Sequence, residues 1–273
     1  MLLVLSMTRA IDRTRTRITR RPGSNWLTWH TLELPFNRGA EAVREERILK
    51  AMVLAAGRGE RMRPLTDSLP KPLLPVAGEP LVAHHLRALA AAGCREVVMN
   101  CSWLGELLQA RLGDGSRWGV SIAYSPEPWP PLDTGGGIFQ ALPLLGPAPF
   151  LLLNGDVWCD LSPAALELPP GMLGHLVLVP NPDHHPAGDF GLVRGCIDAD
   201  ADGATVPRHT YGGMAILDPA LFAACSPGRF PLAPLLVAAA RQGRLSGVLH
   251  GGGWMDIGTP ERLYALRAKL GEA

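Results

Sequence analysis

An α/β fold, with a mostly parallel, Rossmann-like sheet flanked by helices, is predicted by three features of the sequence. Short apolar runs at 51–55, 97–99, 120–124 and 150–153 have the length and hydrophobicity of buried strands. Stretches with apolar residues at helical spacing lie between them, at 80–92, 104–112 and 138–145. Strands alternating with helices in this way imply crossover connections that cover both faces of a parallel sheet. At 273 residues and 47% hydrophobic content the chain can bury one full core.

Residues 1–47 do not share this pattern. They carry nine arginines against five acids, no lysine, and no sustained periodicity, whereas the rest of the chain has a slight acidic excess. Little stable structure is expected there, because such a stretch cannot bury enough apolar surface to offset its ordering entropy. The acids, Glu45 and Glu46 among them, make it a poor organelle transit peptide.

The fold is expected to span 48–273. Its first strand, Ala51 to Ala55, is ended by Gly57. The helix over 80–92 has Pro80 at its first turn, Leu81, Leu86 and Leu89 on one face, and Gly93 just past its end. A strand at 97–99, a helix at 104–112, a strand at 120–124, a helix at 138–145 and a strand at 150–153 follow. The later half is less regular, with strands expected at 176–179 and 211–217 around a proline- and histidine-rich loop, then helices at 232–242 and 260–270. No internal repeat or hexapeptide array is present.

The formal charge of +1 and the lack of a single-sign block in the body of the chain argue against partners that are nucleic acids or membrane surfaces. No apolar run approaches the ~18 residues that would span a bilayer, and the opening apolar residues are too few for a signal peptide. Five widely spaced cysteines, without a C-x-x-C pair, indicate neither a zinc site nor a disulfide framework. A cytoplasmic monomer acting on small molecules is expected.

The segment from Leu54 to Thr66, followed by Pro70-Lys71-Pro72, sits directly after the first strand. Small residues at Ala55, Ala56, Gly57 and Gly59 let backbone N–H groups approach a base and phosphates closely. Arg61 and Lys71 add fixed positive charge, which two phosphorylated substrates need if they are to be brought together. A glycine-rich turn alone also serves merely to turn the chain. The P-loop pattern is absent, since no G-K-S or G-K-T follows, and so is the dinucleotide fingerprint with its later acid.

Two aspartates complete the set. Asp156 follows the strand at 150–153 in Asn154-Gly155-Asp156, and so lies at the carboxyl edge of the sheet where ligands gather. Asp256 lies between glycines in the stretch 253–260. Two carboxylates from distant segments suit a magnesium ion, although either one alone reads equally well as a helix cap.

The string L-x-x-G-x-G-x-R-x-x-P-L-T with a downstream P-K-P resembles the signature of the sugar-1-phosphate nucleotidyltransferases. The resemblance implies that family's nucleotidyltransferase fold, with a small sugar-binding extension, and a magnesium cofactor. It implies that Leu54, Ala55, Ala56, Gly57, Gly59, Glu60, Arg61, Lys71 and Gly136 face the nucleotide. Arg61 would contact the triphosphate and Lys71 the phosphates at the reaction centre. Asp156 and Asp256 match the family's metal-binding aspartates, and Asn154 would hydrogen-bond substrate.

The stretch 132–138 resembles the family's glycine-rich base- and sugar-facing loop, which implies that Thr134 and Gly135 contact substrate. Asp133 stands there where glutamate is usual. The loop from Asn181 to Phe190 resembles the branch of the family that transfers UMP from UTP to N-acetylmuramic acid 1-phosphate in cell-wall recycling. The same branch resemblance includes K-A-M-V-L-A-A-G at 50–57 and L-G-D-G-S-R-W-G at 112–119. Asp189 is the expected sugar-hydroxyl contact. The adjacent His184 and His185 point apart on extended backbone, so they are read as shaping the pocket or capping a turn rather than binding one metal together. The rival readings are the same reaction with mannose 1-phosphate and GTP, and a regulatory subunit that binds a sugar nucleotide without turnover. Since family members begin close to Met-Lys-Ala-Met, and the first strand here is preceded by Leu49-Lys50, residues 1–47 are expected to be dispensable and foreign to the natural chain.

Overall fold

The computed structural model describes residues 50–271 and two short strands near the amino terminus, and the chain divides into two units, 1–47 and 48–273. In the first unit β1 (Arg17–Thr19) pairs antiparallel with β2 (Thr28–His30). The expectation of a leader without stable structure otherwise lies outside the described residues.

The second unit opens with β3 (Ala51–Leu54). A small ribbon of β4 (Pro75–Val76) and β5 (Glu79–Pro80) leads into α1 (Leu81–Ala91), β6 (Glu96–Cys101), α2 (Gly105–Leu112) and β7 (Ser121–Pro126). Then come α3 (Asp133–Leu145), β8 (Phe150–Asn154), β9 (Val157–Cys159) and β10 (Gly174–Val179). The remainder is β11 (Phe190–Val193), β12 (Cys196–Asp198), β13 (Arg208–Leu217), α4 (Ala233–Arg241), β14 (Leu245–Leu249), β15 (Trp254–Asp256) and α5 (Pro260–Lys269).

Nine of these strands form one sheet in the order β10-β14-β12-β11-β13-β8-β3-β6-β7. The run β8-β3-β6-β7 is parallel, with Ala51 beside both Val97 and Leu151. Side chains alternate across it. Ala51, Val53, Val97 and Met99 face α1 and α2 through Val82, Leu86, Leu89 and Leu108. Met52, Val98, Phe150 and Leu152 face α3 and α4 through Ile138, Ala141, Leu236 and Ala239. Each fully buried Leu or Phe here contributes roughly 1.5–3 kcal/mol of transfer free energy. A smaller cluster packs Leu263 and Leu266 of α5 against Met62 and Leu74, and so fixes the segment that follows β3.

The sheet is less parallel than the sequence predicts. From β8 onward the neighbours β13, β11 and β12 run antiparallel, and only β10 and β14 restore a parallel pair. One of these pairs has a local cause: Arg194 and Gly195, both at positive φ, close a two-residue hairpin between β11 and β12, a turn chemistry that the apolar pattern does not register. Helix α3 starts at Asp133, five residues before the expected 138; its first turns hold Gly135, Gly136 and Gly137, poor helix formers by propensity that lie close against distant segments, a tertiary contact that the apolar pattern does not register. Among the described residues no helix is long and apolar enough to cross a membrane.

Candidate active site

A cleft of about 470 Å³ opens at the carboxyl ends of β3, β6 and β8. That is where a parallel sheet presents its ligand edge, because the strand ends and the loops leaving them converge there. Its lining includes Leu54, Ala55, Ala56, Gly57, Gly59, Glu60, Arg61 and Lys71, together with Asp133, Thr134, Asn154 and Asp156.

The loop after β3 is tightly determined. Gly59 has φ +69, a left-handed backbone that favours glycine, and a Cβ there would sit tightly, 3.1 Å from the Thr66 methyl and 3.3 Å from Lys71 Cβ. Thr66, fully buried, donates its hydroxyl to the Gly59 carbonyl at 2.9 Å. The Trp103 indole N–H donates to the Thr66 carbonyl at 3.0 Å, and the Arg58 guanidinium stacks over the Trp103 ring at 4.3 Å. Lys71 opens a 3-10 turn behind this loop. Its Nζ donates to Asp156 Oδ2 at 2.6 Å.

Three polar or charged lining residues, Asn100, Glu127 and Arg229, were not singled out from the sequence. Asn100, at the end of β6, accepts the Ala55 N–H on Oδ1 at 2.7 Å and donates from Nδ2 to Glu127 Oε1 at 2.6 Å. Glu127 accepts the Leu132 N–H on its other oxygen at 2.7 Å. A buried carboxylate thus ties the nucleotide-side loop to the start of α3 through neutral donors. The signal that could have found them was position, since Asn100 ends the second strand of the ligand edge and Glu127 follows the third. Arg229 also lines the cleft.

Gly135 and Gly136 do not line it. A Cβ on Gly135 would lie 2.5 Å from the Phe230 ring, and one on Gly136 would lie 2.2 Å from the Gly228 carbonyl oxygen. Their smallness serves the packing of the 228–231 loop on α3, where the Gly136 N–H donates to the Phe230 carbonyl at 3.0 Å. Asp189 is likewise outside the cleft lining. Its Oδ2 accepts the Tyr211 N–H at 2.7 Å, and its Oδ1 lies 3.0 Å from His185 Nε2, so it braces the 181–190 loop against β13.

Asp156 and Asp256 are brought together by backbone. β9 and β15 pair with Asp256 opposite Val157, and the Ile257 N–H donates to the Asp156 carbonyl at 2.7 Å. Asp156 is on the cleft wall, while Asp256 sits beside it next to the lining residue Gly258. Asp256 Oδ1 is buried without a hydrogen bond among the described residues, although His184 Nε2 lies 3.2 Å away. Its Oδ2 is 3.2 Å from Arg262 Nη2, which also lacks a hydrogen bond. The buried Asp256 oxygen without a hydrogen bond and the partly exposed Asp156 carboxylate on the adjoining segment are oxygen donors of the kind a hard divalent cation takes.

Beneath Asp156, His85 of α1 is buried with Nε2 unsatisfied among the described residues. Burial pushes its pKa down to about 4, against the raising influence of the Val157 backbone and the Asp156 charge. It is therefore a neutral ring supporting the turn that carries Asp156.

The pattern of the family described as nucleotidyl transferase matches residues 50–204. The chain is 49% identical over 230 residues to the N-acetylmuramate alpha-1-phosphate uridylyltransferase of Neisseria meningitidis, covering 82% of this chain and 99% of that protein. The protein of the same name from Caulobacter vibrioides is 37% identical, with 82% and 97% covered. The catalytic subunit beta of mannose-1-phosphate guanylyltransferase from Danio rerio is 32% identical over 78% of this chain and 62% of its own. Among solved structures, HddC of Yersinia pseudotuberculosis, complexed with GMP-PN, superimposes with a TM-score of 0.67 at 19% identity, covering 81% of this chain and 99% of that one.

Proposed function

The chain belongs to the nucleotidyl transferase family, and we propose that it transfers UMP from UTP to N-acetylmuramic acid 1-phosphate, releasing pyrophosphate and forming UDP-N-acetylmuramic acid. The observation that carries this reading is the 49% identity to a relative of that named activity across 99% of the relative's length. The cleft supports it, with its small-residue loop, two cations and neighbouring carboxylates at one strand edge.

The reaction is an in-line displacement. A phosphate oxygen of the sugar 1-phosphate attacks the α-phosphorus of UTP, and the bond from that phosphorus to the bridging oxygen breaks, so that pyrophosphate leaves with the electron pair. The nucleophile is already an anion and needs no general base. Backbone N–H groups of Ala56 and Gly57 admit the nucleotide closely because no large side chain stands in the way, while the Ala55 N–H is held by Asn100 Oδ1. Arg61 neutralises the departing pyrophosphate, and Lys71 holds the attacking and central phosphates in line. Asp156 and Asp256 are the residues that would hold magnesium, which when bound screens the negative charge of the phosphates. Asn154, next to Asp156, hydrogen-bonds the substrate. On the ground of the acceptor sugar we place the activity in cell-wall recycling, and we propose a cytoplasmic location.

Release of pyrophosphate from UTP, magnesium and the sugar 1-phosphate tests the reading. Turnover that requires all three components is the expected result. Tight sugar-nucleotide binding without release would identify a non-catalytic subunit instead.

A further inference from the structure

The cleft holds a third cation, Arg229, to which the phosphate chemistry above gives no role. It is exposed, and among the described residues it makes no hydrogen bond or ion pair. Its backbone is nevertheless clamped. The neighbouring Phe230 donates its N–H to the Leu132 carbonyl at 3.1 Å and accepts the Gly136 N–H at 3.0 Å, and Leu232 donates to Thr134 Oγ1 at 2.9 Å. The Phe230 ring packs edge-on to Phe139 at 6.2 Å. On the other side the Gly228 carbonyl is seated over Gly136. A fixed backbone therefore carries a guanidinium with nothing to bind.

Its direction of approach separates it from the phosphate cations. Lys71 stands beside Leu73, which packs in the apolar cluster of α1, whereas Phe230 and Leu232 pack in the cluster of α3 and α4. The segments that carry the two cations therefore pack on opposite faces of the sheet. The rest of the lining is rich in acid, with Glu60, Glu127, Asp133 and Asp156. Asp133, also in the lining, makes no ion pair with Arg229 among the described residues, and its Oδ1 accepts the Thr134 N–H at 2.6 Å and hydroxyl at 3.3 Å.

A substrate bringing a carboxylate of its own into an acid-lined cleft is repelled unless a cation meets it. N-acetylmuramic acid 1-phosphate is such a substrate, because it carries a lactyl carboxylate besides its phosphate, whereas N-acetylglucosamine 1-phosphate and mannose 1-phosphate do not. We propose that Arg229 is a specificity-determining residue that pairs with the carboxylate of the acceptor sugar, an inference that rests on the uridylyltransferase reading above. Guanidinium suits the task because its planar fork matches a carboxylate in two parallel hydrogen bonds.

The test compares kcat/KM with UTP for N-acetylmuramic acid 1-phosphate and N-acetylglucosamine 1-phosphate, in the unaltered protein, Arg229→Ala and Arg229→Lys. Unaltered protein prefers the sugar acid. In Arg229→Ala the preference falls by about 30-fold or more, as expected for removing one partner of a charge pair in a recognition site. Arg229→Lys restores part of it. An equal loss on both sugars, or a raised KM for UTP, would assign Arg229 to phosphate and overturn the inference. So would a preference that survives in Arg229→Ala, with the uridylyltransferase reading left standing. Unaltered protein that does not prefer the acid removes that reading, and the inference with it.

Discussion

Lys71 Nζ and Asp156 Oδ2 are 2.6 Å apart, so the ammonium of the nucleotide-side segment is held directly by a carboxylate at the end of β8. The aspartate is 41% exposed in its side chain, and a pair this open to water contributes at most about 1 kcal/mol to the fold. Its value lies in placement. Lys71→Ala and Arg61→Ala are expected to lower kcat/KM about 100-fold or more, the usual cost of removing one electrostatic stabiliser. Melting temperature should change little. Pyrophosphate release and a thermal melt on the same preparations check both halves, and a folded Lys71→Ala protein with near-normal turnover contradicts the assigned role.

The carboxylates give a second prediction. Asp156→Asn and Asp256→Asn keep size and remove charge, so each should raise the magnesium concentration required for half-maximal rate and lower the maximum. Asp256→Asn should also free Arg262, whose Nη2 lies 3.2 Å from the carboxylate. Unchanged magnesium titrations in both variants, or turnover in excess chelator, would rule out the metal assignment.

Much of this site could be read in the sequence because it is built from one contiguous loop and from strand ends. Leu54 to Arg61 and Lys71 fall within a single motif, and Asp156 follows an unbroken apolar strand. What stayed hidden depends on contacts between distant segments. Gly135 and Gly136 stand in a ligand-like glycine run, yet their neighbours are Phe230 and Gly228, about 95 residues later. Asn100 and Glu127 look unremarkable in isolation, and only the register of β6 beside β3 and β7 brings them to the Ala55 N–H. The antiparallel half of the sheet was missed for a related reason. Its short strands, such as Cys196–Asp198, pair through tertiary register rather than an apolar pattern of their own.

A pair of glycine substitutions distinguishes packing from access. Gly136→Ala forces a Cβ to within 2.2 Å of the Gly228 carbonyl oxygen and should cost about 1–3 kcal/mol as an overpacked core position. Gly57 has free space around a Cβ and lines the cleft, so Gly57→Ala should leave the melting temperature near that of the unaltered protein while weakening nucleotide binding. Melting curves and nucleotide titrations for the two proteins check the contrast. Equal melting temperatures would mean that the 228–231 loop yields.

His85 gives the fold a pH dependence of defined sign. Its pKa is near 4 in the folded protein and about 6.5 when unfolded, so the unfolded chain binds the extra proton between those values. The neutral ring's contribution is fully present above pH 6.5 and is lost as pH falls towards 4, by roughly 3 kcal/mol. In His85→Leu that part of the slope should vanish. Denaturant titrations at intervals from pH 7 to pH 4 measure it, and identical slopes in the two proteins would show that His85 is not buried neutral.

The identity of the substrates is tested most directly by the ratio of kcat/KM for N-acetylmuramic acid 1-phosphate with UTP to that for mannose 1-phosphate with GTP. Both pairs engage the same phosphate-handling residues, so the ratio isolates the sugar and base surroundings. Hydrogen-bonding groups placed for one sugar and base are left unpaired by the other, and a ratio well above one is the predicted result. A preference for mannose 1-phosphate and GTP would contradict the account and make the chain a guanylyltransferase.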